Sequence, residues 1–333
     1  MKEKLINIYI LFFCFLSTLA IDVSTLEEFN NALKKAKPGQ VISIAPGEYN
    51  YSEIAGKIRF DLYADGTKSS PITITAKDPN NPPLLKGSDI SVLHITGNFW
   101  VIDNVRLSGS MRGITIENSS YNIIRNVEIF NVGSSGVHVR GISSHNLFIN
   151  CYIHNTGRTN PLFGTGISIG KAIDEVRFTF DTNYNVVDGC IFRNTTSEAI
   201  KIHEYTTGNE IVGNTFFADE INGKNGGDCF VTVSGDNNYI GGNVAYRNLN
   251  QNITAAFKVS KQVEDSGDGN KFVNNILFMD TPNGGKKNDK RLYIVDGVNT
   301  KFDVKNNFVD YGEGLIEANT EEYYNFDSIT FLE

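Results

Sequence analysis

The sequence predicts an all-β solenoid, a single-stranded parallel β-helix with a short capping α-helix at its N-terminus. A short strand pattern of alternating β-branched residues returns every roughly 20–35 residues, as in 113–117, 136–140 and 166–170. Each copy is followed by a second apolar run that carries asparagine, as in 122–127 and 146–151. This repetition indicates coils stacked in one dimension, an arrangement that suits a chain of 333 residues better than one compact core.

Residues 1–20 are predicted to be a signal peptide. Lys2 and Lys4 give a basic start, residues 5–16 form an apolar centre, and small residues close the segment. The apolar stretch is too short to favour a membrane span, and an uncleaved anchor is the alternative. We therefore expect a secreted, extracellular protein in which residues 21–333 form one β-helix domain.

The charge of the chain excludes a generic nucleic-acid-binding protein. The sequence has a formal charge of −8. Cleavage of the signal peptide would remove Lys2, Glu3 and Lys4, a net charge of +1, which leaves −9. An acidic domain of this kind does not attract a phosphate backbone.

Three cysteines lie beyond the predicted signal peptide: Cys151, Cys190 and Cys229. Cys151 and Cys190 occupy equivalent positions in successive asparagine-bearing runs, so we expect them to stack in adjacent coils. Free thiols that pack as small apolar side chains are the favoured interpretation, and a disulfide is the alternative. The spacing of three cysteines does not predict a metal site.

One amphipathic helix is predicted within residues 22–38. Residues 24–27 have the pattern of a capping box, a serine followed three residues later by glutamate, and apolar residues then recur at helical spacing. Its expected role is to cover the open end of the stack, because the first coil would otherwise expose its apolar interior. Residues 315–333, which are acidic and aromatic, are expected to form a C-terminal cover.

Alternation assigns a face to each residue of the repeated strand. Apolar residues such as Ile114 and Ile116 should point inward and form the core. Asparagines at one corner should form a ladder in which each amide satisfies the backbone of the next coil. The expected members are Asn104, Asn126, Asn150, Asn214, Asn243 and Asn275.

Stretches that break the repeat should project as loops. Inserted loops in solenoids tend to lie on one side and to wall a binding groove. The clear cases are residues 157–165, 172–183 and 282–291, and a weaker case is 219–227.

Two columns of outward residues on the repeated strand hold the candidate site. The first column contains Thr115, His138, Ser168, Lys201, Thr232 and Lys258. The second contains Glu117, Arg140, Gly170, His203, Ser234, Ser260 and Asp296. Adjacent coils lie about 4.8 Å apart, so neighbours in a column touch and residues two coils apart span about 10 Å, roughly two sugars.

Basic residues concentrate on the middle coils of this otherwise acidic chain. They are His138, Arg140, Lys171, Lys201, His203, Lys258 and Lys261. Such a local reversal of charge suits an anionic, chain-like ligand.

A further pattern runs through residues 25–29, 36–42, 45–49, 66–67 and 71–76. It resembles the opening of secreted polysaccharide lyases with a right-handed parallel β-helix, the pectate lyase-like superfamily, and is most similar to the chondroitinase B and alginate lyase branch. The resemblance covers roughly residues 22–310. It implies the fold and, as an expectation, cleavage of an acidic polysaccharide by β-elimination, often with calcium.

β-Elimination on a uronic acid has three chemical requirements. The carboxylate must be neutralised so that the adjacent C–H becomes acidic, a base must take that proton, and an acid can assist the leaving oxygen. Arg140 is the candidate to neutralise the carboxylate through its bidentate guanidinium. Lys201 is the candidate base, next to cations such as Lys258 or Arg140. His203 and Tyr205 are the competing pair of base and acid.

Several residues around this face are expected to bind the substrate: His138, Lys171, Lys258, Lys261 and Glu204. For every candidate the alternative is a solvated side chain on a strand face, which for Lys201 includes a salt bridge to Glu204. Calcium would need clustered carboxylates, for which Glu117, Glu204 and Asp228 could approach one another across coils. The sequence has no dense array of aspartates, so the metal is left open.

The sequence therefore favours a secreted, monomeric polysaccharide lyase, a carbon–oxygen lyase, acting on a uronic-acid polymer. A hydrolase with paired aspartates is disfavoured, because no adjacent aspartate pair lies on the outward face. The second hypothesis is a non-catalytic wall or matrix protein whose groove binds glycan. The third is a structural repeat protein without a ligand, against which the basic cluster argues.

Overall fold

The computed structural model describes residues 19–51, 59–88, 90–171, 181–224, 227–261, 263, 265–280, 293–296, 301–312, 314–318 and 323–325. The loop predicted at 282–291 lies outside these residues, as do residues 1–18 of the predicted signal peptide and 172–180 of the second predicted loop. Much of the predicted C-terminal cover also lies outside them.

Three β-sheets run along the molecule, and each coil contributes one short strand to each sheet. Sheet A contains β1 (Leu19–Val23), β2 (Gln40–Ile44), β5 (Ile72–Ala76), β8 (Trp100–Asp103), β11 (Ile123–Arg125), β14 (Leu147–Ile149), β17 (Val186–Asp188), β20 (Glu210–Val212), β23 (Tyr239–Gly241), β26 (Asn270–Val273) and β29 (Phe302–Lys305). Sheet B contains β3 (Glu48–Asn50), β6 (Leu84–Lys86), β9 (Arg106–Ser108), β12 (Glu128–Phe130), β15 (Tyr152–His154), β18 (Ile191–Arg193), β21 (Thr215–Phe217), β24 (Val244–Tyr246), β27 (Ile276–Phe278), β30 (Asn307–Asp310) and β31 (Leu315–Ala318). Sheet C contains β4 (Phe60–Leu62), β7 (Ser91–Ile95), β10 (Arg112–Glu117), β13 (Val137–Arg140), β16 (Ile167–Ile169), β19 (Ile200–Ile202), β22 (Val231–Val233), β25 (Phe257–Ser260), β28 (Tyr293–Asp296) and β32 (Tyr323–Asn325).

This architecture confirms the predicted all-β, right-handed parallel β-helix. Strands pair in parallel with their equivalents one coil away, except that β31 pairs with β30 in the antiparallel direction. The register of sheet C confirms the first outward column, since Thr115 faces His138 and Ser168 faces Lys201. The inward positions, such as Ile114, are fully buried and form one continuous core.

Helix α1 (Leu26–Lys34) is the predicted N-terminal helix, but it is shorter than the predicted segment and its capping box is placed differently. Thr25 is the N-cap: its hydroxyl accepts from the backbone N–H of Glu28 at 3.2 Å, and Glu28 accepts from the backbone N–H of Thr25 at 3.1 Å. The predicted pair of Ser24 and Glu27 does not form the box, because Thr25 is still extended, with φ −127° and ψ 157°, and the helix begins one residue later. Phe29 packs into the end of the core, 5.0 Å from the ring of Phe60.

The asparagine ladder predicted from the sequence is confirmed for Asn214, Asn243 and Asn275. It is wrong for the other three members, which belong to neither of the two buried ladders among the described residues. Asn104, Asn126 and Asn150 have φ values of +52°, +54° and +51°, which place them at a left-handed corner that asparagine and glycine tolerate. In later coils Gly189 and Gly213 occupy this corner. The sequence analysis aligned Asn214 with Asn150, although the residue equivalent to Asn150 is Gly213, one position earlier.

Each ladder joins side-chain amides of successive coils. In the first ladder, the Nδ2 group of each asparagine donates a hydrogen bond to Oδ1 of the asparagine in the next coil. Its members are Asn122, Asn146, Asn185, Asn209, Asn238 and Asn270. The second contains Asn214, Asn243, Asn275 and Asn307. All are buried, and several also bond to backbone groups at the bends, as expected of buried turns.

The three cysteines are buried free thiols, which confirms the favoured interpretation. Cys151 and Cys190 stack in adjacent coils, and the backbone N–H of Cys151 donates to the sulfur of Cys190 at 3.3 Å. Burial raises the pKa of the Cys190 thiol well above its usual value. These thiols therefore act as small core side chains.

Candidate active-site cleft

A cleft of about 730 Å³ opens on the outer face of sheet C. His138, Ser168, Lys201 and His203 lie on its floor, carried by β13, β16 and β19 or by the residue that follows β19. Of Lys201, His203 and Arg140, the three residues expected to share one groove, Lys201 and His203 line the cleft together and Arg140 is not among its lining residues.

The predicted loop 157–165 forms one wall of the cleft, and Asn160, Leu162, Phe163 and Thr165 line it. The loop belongs to an enlarged coil: the equivalent residues Asn146 and Asn185 are 39 residues apart, whereas Asn122 and Asn146 are 24 apart. Part of this extra length is loop 157–165, which lines the cleft on sheet C.

Lys201 is paired with an acidic residue, not surrounded by the cations that the sequence suggested. Its Nζ lies 3.7 Å from Oε1 of Glu198, which is 1% exposed. Glu198 also accepts a hydrogen bond from the hydroxyl of Ser197, and one from that of Thr232 at 3.2 Å. A buried carboxylate needs such partners, so Glu198 fixes the charge environment of Lys201.

Glu198 belongs to a third outward column that the sequence pattern did not mark. The members Arg112, Ser135, Thr165 and Glu198 all line the cleft. Strict alternation of inward and outward residues fails here, because the residue after each member of this column also faces the core. Gly136, which follows Ser135, is an example: a Cβ added to it would lie 2.6 Å from Ile153. Gly136 and Val137 are thus two successive inward residues, and Ser135 before them points outward. The repeated small residue at this position, Gly113, Gly136, Gly166 and Ala199, was the signal that could have revealed this column.

His203 is a neutral imidazole on the cleft floor. Its Nε2 lies 2.9 Å from the hydroxyl of Ser168. Burial, followed by the positive charge of Lys201, lowers the pKa of His203 to about 3. The side chain is therefore uncharged at neutral pH.

His138 is also neutral, and its tautomer follows from its partner. Its Nε2 lies 3.0 Å from the carbonyl oxygen of Gly170, which can only accept, so Nε2 carries the proton. Burial, followed by the positive charge of Arg112, lowers the pKa of His138 well below its usual value. His138 therefore adds no positive charge to the basic residues on these coils.

The other predicted basic residues are not among the residues lining the cleft. The guanidinium of Arg140 donates to Glu117 from Nη2 at 2.8 Å and from Nε at 3.1 Å. Lys261 pairs with Asp268 at 2.7 Å, and Lys171 is buried. Much of the positive charge predicted for this face is thus balanced locally.

The remaining predicted residues, Glu204 and Tyr205, and the lysine Lys258 are not among the residues lining the cleft. Lys258 is two coils beyond Lys201 in the first column. Glu204 is buried, 3.9 Å from the ring of His203. Tyr205 is exposed at a left-handed corner, and its backbone N–H donates to the hydroxyl of Ser266.

The carboxylates considered for calcium do not form one site. Glu117 is engaged by Arg140, and its strand β10 lies three coils from β19, roughly 14 Å from the coil of Glu204. Asp228 accepts a hydrogen bond from Thr254 at 2.7 Å. Within the described ranges, no group of three or more His, Cys, Asp or Glu side chains could hold a metal ion. These residues do not fit a calcium site.

Two family models match the sequence. The family described as "Pel9A-like, right handed beta helix region" matches residues 20–161. The family described as "Right handed beta helix region" matches residues 91–277, more than half of the chain. Comparison with curated protein sequences gives no significant match.

Similar solved structures include several polysaccharide lyases. The alginate lyase from Paenibacillus sp. str. FPU-7 has 30% sequence identity and a TM-score of 0.77, over 86% of this chain and 95% of the other. The pectate lyase Pel9A has 16% identity and a TM-score of 0.60, over 84% and 72%. A rhamnogalacturonan lyase has 14% identity and a TM-score of 0.59, over 89% and 84%. The latter two share the fold. No helix in the described part of the chain is long and apolar enough to cross a membrane.

Proposed function

Because the chain belongs to the right-handed β-helix family of polysaccharide lyase-like proteins, we propose that it cleaves a uronic-acid polymer by β-elimination. The observation that carries the proposal is the cleft on sheet C, in which Lys201 and two neutral histidines, His138 and His203, line one groove. Its similarity to an alginate lyase makes alginate the first substrate to test.

Lys201 is the proposed base. A neutral imidazole with a pKa of about 3 is a weak base, which disfavours His203 for this step. In this step the amine of Lys201, once it has released a proton, takes the proton from the carbon next to the carboxylate, and the electron pair of that C–H bond forms the new double bond. The glycosidic oxygen leaves with the bonding electrons and receives a proton from the ammonium of Lys201. The products are an unsaturated uronate and a new hydroxyl end.

The other lining residues prepare the substrate for this step. Arg112 brings positive charge to the cleft one coil from His138, whereas Arg140, the residue predicted to neutralise the carboxylate, is engaged by Glu117. Glu198 orients Lys201 through their 3.7 Å contact. The hydroxyl of Ser168 holds the ring of His203 in place.

The test is to incubate the protein with alginate, pectate, glucuronan and chondroitin, each with calcium and with a chelator, while following the ultraviolet absorbance of the unsaturated product. Lys201→Ala should lower the rate at least about a hundredfold, because the base is lost. Lys271→Ala removes an exposed lysine on sheet A and serves as the matched control. Absence of product on every polymer, or full activity of Lys201→Ala, would contradict the proposal.

A second candidate function is glycan binding without cleavage. It is favoured by the balanced charges, since Lys201 and Arg140 each contact an acidic residue of the chain itself. Retention on an immobilised polyuronide without unsaturated product would support it. Both candidate functions assume that the protein is secreted. N-terminal sequencing of the exported protein would test whether it is cleaved after residue 20.

A further inference from the structure

We propose that Met111 is an oxidation site, at which a peroxide converts the side chain to methionine sulfoxide and displaces the start of loop 157–165. Met111 lines the cleft, and its sulfur lies 3.4 Å from the hydroxyl of Thr159 in that loop. The proposal concerns a chemical modification of the protein itself, so it holds whether or not the cleft cleaves a polymer.

Burial makes Met111 the one sulfur-bearing side chain of the described residues that an oxidant can reach. The sequence has three methionines and four cysteines, of which Met1 and Cys14 belong to the predicted signal peptide. Met279 and the three remaining cysteines are at most 2% exposed. Met111 is only partly buried and faces a cleft of about 730 Å³. Because oxidation of sulfur follows its exposure, it should be confined to Met111.

The reaction transfers one oxygen atom from hydrogen peroxide to the sulfur. A lone pair of the sulfur forms a bond to one oxygen of the peroxide as the O–O bond breaks. The other oxygen leaves as hydroxide, takes the proton of the transferred oxygen and becomes water. The thioether is oxidised by two electrons, the peroxide is reduced by two, and an apolar side chain becomes a polar one.

The sulfur of Met111 is enclosed between Thr159 and the backbone of Gly133. A Cβ built on Gly133 would lie 2.8 Å from this sulfur and closer still to the Thr159 hydroxyl, so both atoms lie directly over Gly133. The sulfur therefore has no room to retreat towards the next coil. Any group added to it acts on Thr159.

The hydroxyl of Thr159 has a choice of two acceptors. The sulfur of Met111 lies at 3.4 Å and the carbonyl oxygen of Gly133 at 3.3 Å. A thioether sulfur is a weak acceptor, whereas the oxygen of a sulfoxide is strongly polar, so oxidation should turn the hydroxyl towards Met111. An O–H···O bond takes about 2.7 Å in addition to the new S–O bond. The sulfur and the hydroxyl must therefore move apart.

Displacement of Thr159 acts on the backbone bonds that attach the loop to the preceding coil. The N–H groups of Thr159 and Asn160 both donate to the carbonyl oxygen of Gly133, at 3.1 Å and 2.7 Å. Asn160 also lines the cleft. Oxidation of Met111 should therefore weaken these two bonds and alter the cleft wall at Asn160.

The displacement should stay local, because the next part of the loop is attached elsewhere. The carbonyl oxygen of Pro161 accepts hydrogen bonds from Thr196 at 2.9 Å and from Asn222 at 3.0 Å. The carbonyl oxygen of Phe163 accepts one from the hydroxyl of Ser134 at 3.0 Å. These bonds hold the loop beyond Asn160, so the change should affect residues 158–160 and leave β16 as it is.

The experiment treats the folded wild-type protein with hydrogen peroxide and locates the oxidation by peptide mass spectrometry. Met111 should gain one oxygen while Met279 stays reduced. Hydrogen exchange of the treated protein should accelerate about fivefold at the amides of Thr159 and Asn160 and stay unchanged in β16. Methionine sulfoxide reductases should return both the mass and the exchange to their untreated values.

Two leucine variants serve as controls. Met111→Leu keeps an apolar side chain of similar volume and removes the oxidisable sulfur, so peroxide should leave its exchange unchanged. Met279→Leu is the matched control and should respond to peroxide as the wild type does.

Equal oxidation of Met279, absence of oxidation at Met111, or oxidised Met111 without faster exchange at Thr159 and Asn160 would overturn the proposal. A peroxide response in Met111→Leu equal to that of the wild type would overturn it too, as would faster exchange that persists after the sulfoxide has been reduced. Mass and exchange are both measured without substrate. The outcome is therefore independent of whether the protein forms an unsaturated product.

Discussion

Glu198 and Arg140 show which side-chain contacts a repeat pattern can and cannot predict. Arg140 and Glu117 are neighbours in one predicted column and form a salt bridge, although the sequence analysis assigned Arg140 to the substrate carboxylate instead. Glu198 lies in the bend before β19, where alternation breaks, so its contact with Lys201 required knowledge of the bend. The alternation of residues along the strands was enough to predict the residues on the floor of the cleft, such as Lys201. It was not enough to predict Glu198, which lies at the bend before the strand.

His203 should make the stability of the protein depend on pH. Its pKa is about 3 in the folded state and near 6.5 when unfolded, so between these values only the unfolded state binds the extra proton. The free energy of unfolding should therefore fall as the pH is lowered from about 6.5 towards 4, by about 2–3 kcal/mol from this residue. Above the unfolded pKa it should contribute no pH dependence.

The measurement is the midpoint of urea denaturation between about pH 4 and pH 8 for the wild type and His203→Gln. The variant should lose much of the decline at low pH and keep the part that arises from His138, whose pKa is also lowered. Parallel curves for the two proteins would show that His203 is not held neutral in the folded state.

At the scale of the element, helix α1 gives a test of the observed capping box against the one that the sequence suggested. Thr25→Ala removes the acceptor for the backbone N–H of Glu28 and should destabilise the helix by about 1 kcal/mol. Ser24→Ala removes only an exposed hydroxyl contact to Glu28 and should cost less than half as much.

Hydrogen exchange of residues 26–34 followed by mass spectrometry reports this local effect. Exchange should accelerate about fivefold in Thr25→Ala, and much less in Ser24→Ala. Equal acceleration in both variants would contradict the assignment of Thr25 as the N-cap.

The sequence predicted the existence of the helix well and its ends less well. Apolar spacing and flanking charges identify a helix over several turns, whereas the first helical residue depends on the backbone conformation of Thr25, which the pattern does not specify. The asparagine ladder was wrong in three of its members for a related reason. Asn150 at a left-handed corner and Asn214 in a buried ladder belong to equivalent runs but differ by one position, and a one-residue shift changes which way a side chain points.

At the scale of the whole molecule, the fold was predictable because every coil repeats the same local rule, so one sequence contains many copies of the same signal. The electrostatic surface was less predictable. Arg140, Lys201 and Lys261 each contact an acidic side chain, so their summed charge does not act as an open positive surface.

This balance predicts that salt has little effect on the affinity for an anionic polymer. An unpaired basic groove would lose affinity steeply with salt, but here most of the local charge is compensated and the chain as a whole carries −8. The KM for the polymer should change by less than about threefold between roughly 20 and 200 mM sodium chloride. An increase of more than about tenfold in initial-rate measurements would show that unpaired cations dominate binding.

The enlarged coil has an evolutionary consequence. Asn146 donates to Asn185 across 39 residues at 3.0 Å, and Asn122 donates to Asn146 across 24 residues at 2.9 Å, so the same bond joins coils of very different length. The number of residues in a coil thus does not change the distance between that coil and the next one in the stack. A descendant could exchange loop 157–165 for a longer or shorter segment while Lys201 and His203 kept their coordinates. Ligand preference and the reacting centre can therefore diversify at separate rates.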